Sequence, residues 1–201
     1  MLAAALAAVV LGAVAFVVMA VKDRTYVGSP AYAPSGEPNR AVAVVYYSRS
    51  GHSEAVAREI ARTFNAFIAR IEATDYPLDF SGQTKAVSDA EARALPAITV
   101  EPIDLAPAQR VYLVSPTWLF RPAPPLWAFV EQADLAGKEV VLVMTGNSRY
   151  KQENIDAFAE RVAARGGRLV RHVFLQRGRI YWQMSRDELL RETRAQIDAT
   201  P

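Results

Sequence analysis

Apolar and polar positions along the chain follow two rhythms. Continuous, β-branched apolar runs recur at Ala41–Tyr47, Arg110–Ser115, Glu139–Thr145 and Leu169–Leu175, with a shorter one at Phe67–Ile71. Such runs predict strands buried on both faces of a parallel sheet. Between them apolar residues return every three or four positions: Val56, Ile60 and Phe64 within Glu54–Phe64, and Ile155, Phe158 and Val162 within Asn154–Arg165. That spacing predicts helices with one buried stripe. A polar helix is expected over Thr84–Ala94, after the loop around Asp75, Tyr76 and Pro77. Pro124 and Pro125 suit the first turn of a helix that carries Trp127, Phe129 and Val130 and ends at Gly137. Gly166 and Gly167 stop the helix before the last strand. Ser185 with Glu188 three places on forms a capping box that opens a closing helix to Ile197.

Strands alternating with helices predict an α/β fold: a doubly wound, five-stranded parallel sheet with helices on both faces. In such a sheet a ligand lies at the carboxyl ends of the strands, so the loops leaving the first, third and fourth strands should be chemically unusual. They read YSRSGHS, SPTWLFRPAPP and TGNSRYKQ.

Ahead of the first strand the rhythm disappears. Leu2–Val21 is an uncharged apolar run at about the 20 residues that span a bilayer. No basic residue precedes it, and it exceeds the ~7–15 residue apolar core of a signal peptide, so the expectation is a single transmembrane helix. Val18-Met19-Ala20 and Ala31-Tyr32-Ala33 are the cleavage-like triplets of the alternative, a signal peptide. Lys22, Arg24 and Arg40 follow the run, which places the rest of the chain in the cytoplasm and the protein in the cell inner membrane as a single-pass species. Residues 23–40 are rich in Pro, Gly and Ser, the composition of a flexible linker. The expected organisation is therefore a span over residues 1–22, a linker over 23–40 and one domain over 41–201.

Composition narrows the chemistry. The 201 residues include no cysteine, which removes disulfides, thiolate metal sites and cysteine nucleophiles. A net charge of +2 argues against a nucleic-acid binder. Arginines cluster late, at Arg161, Arg165, Arg168, Arg171, Arg177 and Arg179, and read as solvated surface before they read as a lipid or nucleotide contact.

In the first loop Ser48, Ser50 and Ser53 offer hydroxyls and Gly51 allows close backbone approach. The helix behind points free N–H groups and its positive dipole end at the loop. An anion site and a turn capped by Ser53 are equally consistent with that local sequence. No Gly-Lys-Ser/Thr follows, G-x-G-x-x-G is absent, and Ser50 with His52 lacks the nucleophile elbow of a hydrolase. In the second loop Trp118 and Phe120 are placed either to stack on a planar ring or to fold into the core. Thr145, Gly146, Asn147, Ser148 and Arg149 of the third loop suit hydrogen bonding or an ordinary polar connection.

Taken together, these loops resemble those of the flavodoxin-like FMN proteins, over nearly the whole stretch from Ala41 to Arg179. YYSRSGHSEAVAREIA is similar to that family's phosphate-binding loop, and SPTWLFRPAPPLWAFVE to the segment whose aromatics pack on the isoalloxazine. The resemblance implies a flavodoxin-like sheet with FMN as cofactor, its phosphate held by Ser48, Arg49, Ser50, Gly51, His52 and Ser53. It implies a ring lined by Pro116, Thr117, Trp118, Leu119 and Phe120, with Thr145, Gly146, Asn147, Ser148 and Arg149 on the other side. The glycine that many members carry after the aromatics is replaced here by Leu119, Phe120 and Arg121.

With FMN bound, the flavin carries the chemistry and no catalytic side chain is required. The mild basicity, set against the acidity usual in shuttle flavodoxins, favours an oxidoreductase that takes electrons from NAD(P)H and passes them to a quinone-like acceptor. A one-electron carrier flavodoxin, a protoporphyrinogen oxidase-like enzyme and a flavodoxin-fold binding domain that has lost FMN stay open. Expected partners are the lipid bilayer and a small-molecule electron acceptor or redox partner protein, with a homodimer as an option.

Overall fold

The computed structural model describes residues 25–178 and 183–198, and ahead of them residues 7, 9–14, 17–18 and 21. Its strands are β1 (Asn39–Tyr47), β2 (Ala66–Glu72), β3 (Thr99–Val100), β4 (Arg110–Trp118), β5 (Arg121–Pro122), β6 (Glu139–Gly146) and β7 (Arg168–Gln176). Its helices from the first strand onward are α1 (His52–Phe64), α2 (Phe80–Ala92), α3 (Pro124–Gln132), α4 (Gln152–Ala164) and α5 (Arg186–Asp198).

Among the described residues the sheet has seven strands, not five. The five long ones lie parallel in the order β2-β1-β4-β6-β7, which is the doubly wound arrangement with a reversal between β1 and β4. The two additional strands are two residues each and antiparallel: β3 pairs with the edge strand β2, and β5 folds back on the end of β4. Both are too short for periodicity to reveal.

The continuous apolar runs are explained by burial on both faces. Alternate residues of β1, β4 and β6 (Val45, Leu113, Leu142) enter a core closed by α3 and α4. Their neighbours (Val44, Tyr112, Val141) enter a second core closed by α1 and α5. Helix α3 is apolar all round and buried from Pro124 to Val130, because it is wrapped by the sheet, α2 and α4.

Several boundaries moved for identifiable reasons. Helix α2 starts at Phe80 because the Asp79 carboxylate accepts from the Gly82 N–H at 2.9 Å. Helix α3 stops at Gln132, and Gly137 instead serves the turn into β6, at φ 72° with its N–H donating to the Gly166 carbonyl. The capping box forms as expected, with the Ser185 N–H donating to Glu188 Oε2 at 2.7 Å and Glu188 N–H donating back to Ser185 Oγ.

Residues 25–38 have no regular structure, yet they do not hang free of the domain. The Val27 N–H donates to the Ser50 carbonyl, Tyr32 Oη to the Ala61 and Ala66 carbonyls, and Arg58 to the Ser29 and Pro30 carbonyls. Arg186 at the start of α5 adds bonds to the Val27 and Gly28 carbonyls and Ser29 Oγ. The segment is a strap across α1 and α5, because side chains distant in sequence supply donors for its otherwise unpaired carbonyls. Among the described residues no helix is long and apolar enough to cross a membrane. The expected span at Leu2–Val21 falls in large part outside them.

Candidate functional site

Three loops leave the carboxyl ends of β1, β4 and β6 side by side, because their parent strands are neighbours in the sheet. They enclose a cavity of about 340 Å³, within the size range of small-molecule and cofactor sites. Of the sixteen residues expected to form a site, fifteen line it; the exception is Gly51. Gly51 has φ 90°, and a Cβ there would stand 2.1 Å from the Val27 carbonyl oxygen. Its bare α-carbon thus accommodates the strap.

The first loop is ordered from within. Ser48 Oγ accepts from the Gly51 N–H at 3.1 Å, and Gly51, not Ser53, is the N-cap of α1. The Ser53 hydroxyl, fully buried, instead meets Thr145 Oγ1 at 2.8 Å, which ties the first loop to the third. His52 lies among positive groups. Burial first, and then the Arg177 and Arg186 guanidiniums, hold its pKa down to about 3, so the ring is neutral at physiological pH. The same field, added to the amino end of α1, favours an anion at this end of the cavity.

Another part of the cavity wall is aromatic. Trp118 is braced edge-on by Tyr47 at 5.6 Å and Tyr76 at 5.0 Å; it lines the cavity and also packs on the core. Beyond it the chain reverses in a two-residue turn: Trp118 pairs with Arg121, and Leu119 and Phe120 have φ 45° and 67°. Both positions occupy the left-handed region that such turns demand and that Asn-Gly normally fills. The Phe120 carbonyl accepts from the Lys151 N–H at 3.0 Å and from Asn154 Nδ2 at 3.2 Å, which ties the turn to the start of α4. Arg149 lies over the Phe120 ring, 5.1 Å from its centroid, and bridges the second and third loops. Arg121 turns away from this cavity.

Gly146 lets the end of β6 approach closely, since a Cβ there would come within 2.8 Å of both Thr117 Oγ1 and the Phe174 ring. Thr117 Oγ1 is buried in the cavity wall without a hydrogen-bond partner. A buried hydroxyl so placed is costly unless something in the cavity pairs with it.

Gln83, Ala86 and Val87 of α2 and Arg177 after β7 also line the cavity. Nothing in the local pattern of α2 marks them. Arg177 carries a positional signal, since it follows the carboxyl end of a parallel strand, and its place among the late arginines hides that signal. It is 9% exposed. The other members of that cluster differ: Arg161 pairs with Glu131, Arg168 pairs with Glu139, and Arg179 lies outside the described residues.

Comparison with known proteins agrees with this fold. No curated protein shows significant sequence similarity to the chain. Among solved structures, a flavoprotein from Lactobacillus acidophilus NCFM in complex with FMN is similar at 19% identity. Its TM-score is 0.58, over 66% of this chain and 91% of that one. Candidate flavoproteins from Bacteroides uniformis (21% identity, TM-score 0.59, 75% of this chain and 96% of that one) and Bacteroides eggerthii (17%, 0.60, 78% and 95%) share the fold. A family model described as Flavodoxin matches residues 41–182, most of the chain, and with the sheet order and the three converging loops it places this protein in the flavodoxin family.

Proposed function

We propose that the cavity at the strand ends binds FMN, with the phosphate on residues 48–53 and the flavin ring between residues 116–120 and 145–149. The observation that carries this reading is the mixed wall of one cavity: positive and hydroxyl groups at the start of α1, where His52 lies near Arg177 and Arg186, together with an aromatic side chain, Trp118, after β4. The residues fit the group. Thr117 Oγ1 is a buried hydroxyl in need of a partner, and the loop hydroxyls and α1 N–H groups suit a phosphate dianion. When bound, FMN supplies hydride and electron transfer. This chain's part is to hold it: Arg177, His52 and the rest of the first loop fix the phosphate, and Trp118 and the Leu119–Phe120 turn bound the ring.

On that basis the protein is a redox protein of the inner membrane, anchored by residues 1–22, with NAD(P)H as donor and a quinone-like acceptor. The anchor reading rests on the uninterrupted apolar run of Leu2–Val21. A second reading, a flavodoxin-fold binding domain without FMN, draws on the Arg149–Phe120 contact that joins two loops at the ring end. Titration of the detergent-purified chain with FMN separates them. Uptake with structured flavin absorption bands, weakened in Ser50→Asp through like-charge repulsion, is the expected result. Failure to take up FMN at micromolar concentration would sink the redox reading, and oxidation of NAD(P)H with a soluble quinone then tests the enzyme against the carrier.

A further inference from the structure

Arg121 follows the tight turn and is 7% exposed. Its guanidinium lies 4.6 Å from the centroid of the Trp127 ring, and Nη1 donates to the Ala90 carbonyl near the end of α2 at 3.2 Å. Nε is buried with no hydrogen-bond partner, and among the described residues no carboxylate pairs with this side chain. A buried cation in that state is unusual, since buried charges are normally paired. Burial, and then nearby Arg93, lower its pKa.

Arg121 lines a second cavity, of about 380 Å³, on the other side of the turn from the first. Arg93 and Arg161 are also in its wall, with Glu160 as the single acidic residue. Arg161 is held by Glu131 at 2.6 Å. Arg93 and Arg121 are left repelling each other beside the same space. The remaining wall is mostly apolar: Leu95, more than half exposed, with Trp127 and the small side chains Ala157 and Ala164 of α4, and one amide, Asn154, whose Nδ2 donates to the Phe120 carbonyl. A charged floor with a hydrophobic wall, at this volume, is the make-up of a ligand pocket.

We propose that this second cavity binds a small organic anion, whose carboxylate or phosphate oxygens are taken by Arg121 and Arg93 and whose apolar part lies against Leu95 and α4. Guanidinium groups offer planar, paired donors matched to both oxyanions. An anion between them removes the repulsion and completes the hydrogen bonding of Arg121. The site does not depend on the flavin reading, because it shares no lining residue with the first cavity.

Calorimetric titration of the full chain with benzoate and, separately, with inorganic phosphate tests it. The expected result is one-to-one saturation by at least one probe, with affinity about tenfold or more weaker in Arg121→Met and Arg93→Ala and unchanged in Ser50→Asp. Saturation by benzoate alone identifies a carboxylate, and by phosphate alone a phosphate group. The proposal is overturned if neither probe saturates at millimolar concentration, if binding survives both arginine substitutions, or if Ser50→Asp abolishes it. Should Arg121→Met fail to fold, exposed Arg93 decides alone: unchanged affinity in Arg93→Ala rejects the site.

Discussion

At positions 119 and 120 two bulky apolar residues take backbone conformations that L-residues rarely adopt. Each such position costs on the order of 1 kcal/mol or more, and it persists only where the surroundings hold it. Here the holders are the Lys151 N–H and Asn154, which both donate to the Phe120 carbonyl. Replacing the pair by Asn-Gly should therefore stabilise the fold by about 1–2 kcal/mol, seen as a higher urea midpoint at unchanged slope. The same variant should bind FMN more weakly if Leu119 and Phe120 bound the ring. His52 and His172 supply a second residue-scale expectation. Burial holds them down to about 3 and about 4, against an ordinary value of 6.5 in the unfolded chain. Between those limits the unfolded state binds more protons, so their contribution is present above about pH 6.5 and is lost on acidification towards pH 3–4. His172→Gln should flatten the fall in Tm between pH 6.5 and 4 relative to the parent chain.

Among the elements, the strap over residues 25–38 and helix α5 act together. Arg186 is the common partner: it donates to the carbonyls of Val27 and Gly28 and, at 3.3 Å, to that of Gly51 in the first loop. The segment that would lead from a membrane anchor is thus clasped to the loop that would hold the FMN phosphate. Arg186→Ala should leave the sheet intact while limited proteolysis between residues 25 and 38 becomes faster. Gly51→Ala should do the same, since its Cβ would displace the Val27 carbonyl. An unchanged cleavage rate in both variants would show that the other strap contacts, at Tyr32 and Arg58, suffice on their own.

For the molecule as a whole, the order of the long strands and the position of the cavity were legible in the sequence. A strand buried on both faces must be apolar throughout, and a helix covering it must show a stripe, so Ala41–Tyr47 and Glu54–Phe64 declare themselves locally. The doubly wound topology then brings the loops after β1, β4 and β6 together, and loops rich in Ser, Gly and aromatics mark the site. What stayed hidden depended on distant partners. The β4–β5 turn carries no turn residues, Arg177 is buried beside the end of β6, its N–H donating to the Gly146 carbonyl, and Gln83 and Val87 reach the cavity from a helix of weak pattern. The linker composition predicted for residues 23–40 agrees with the lack of regular structure over 25–38 but did not reveal contact, which Arg58, Asn65 and Arg186 provide from 28 or more residues away. By itself the sequence determined the long strands, the helices that cover them and the chemistry of the loops, because periodicity and residue type are local properties. Only the tertiary structure decided which way Arg121 faces, what Gly51 makes room for and where the strap lies, because these follow from close packing between segments far apart in the chain.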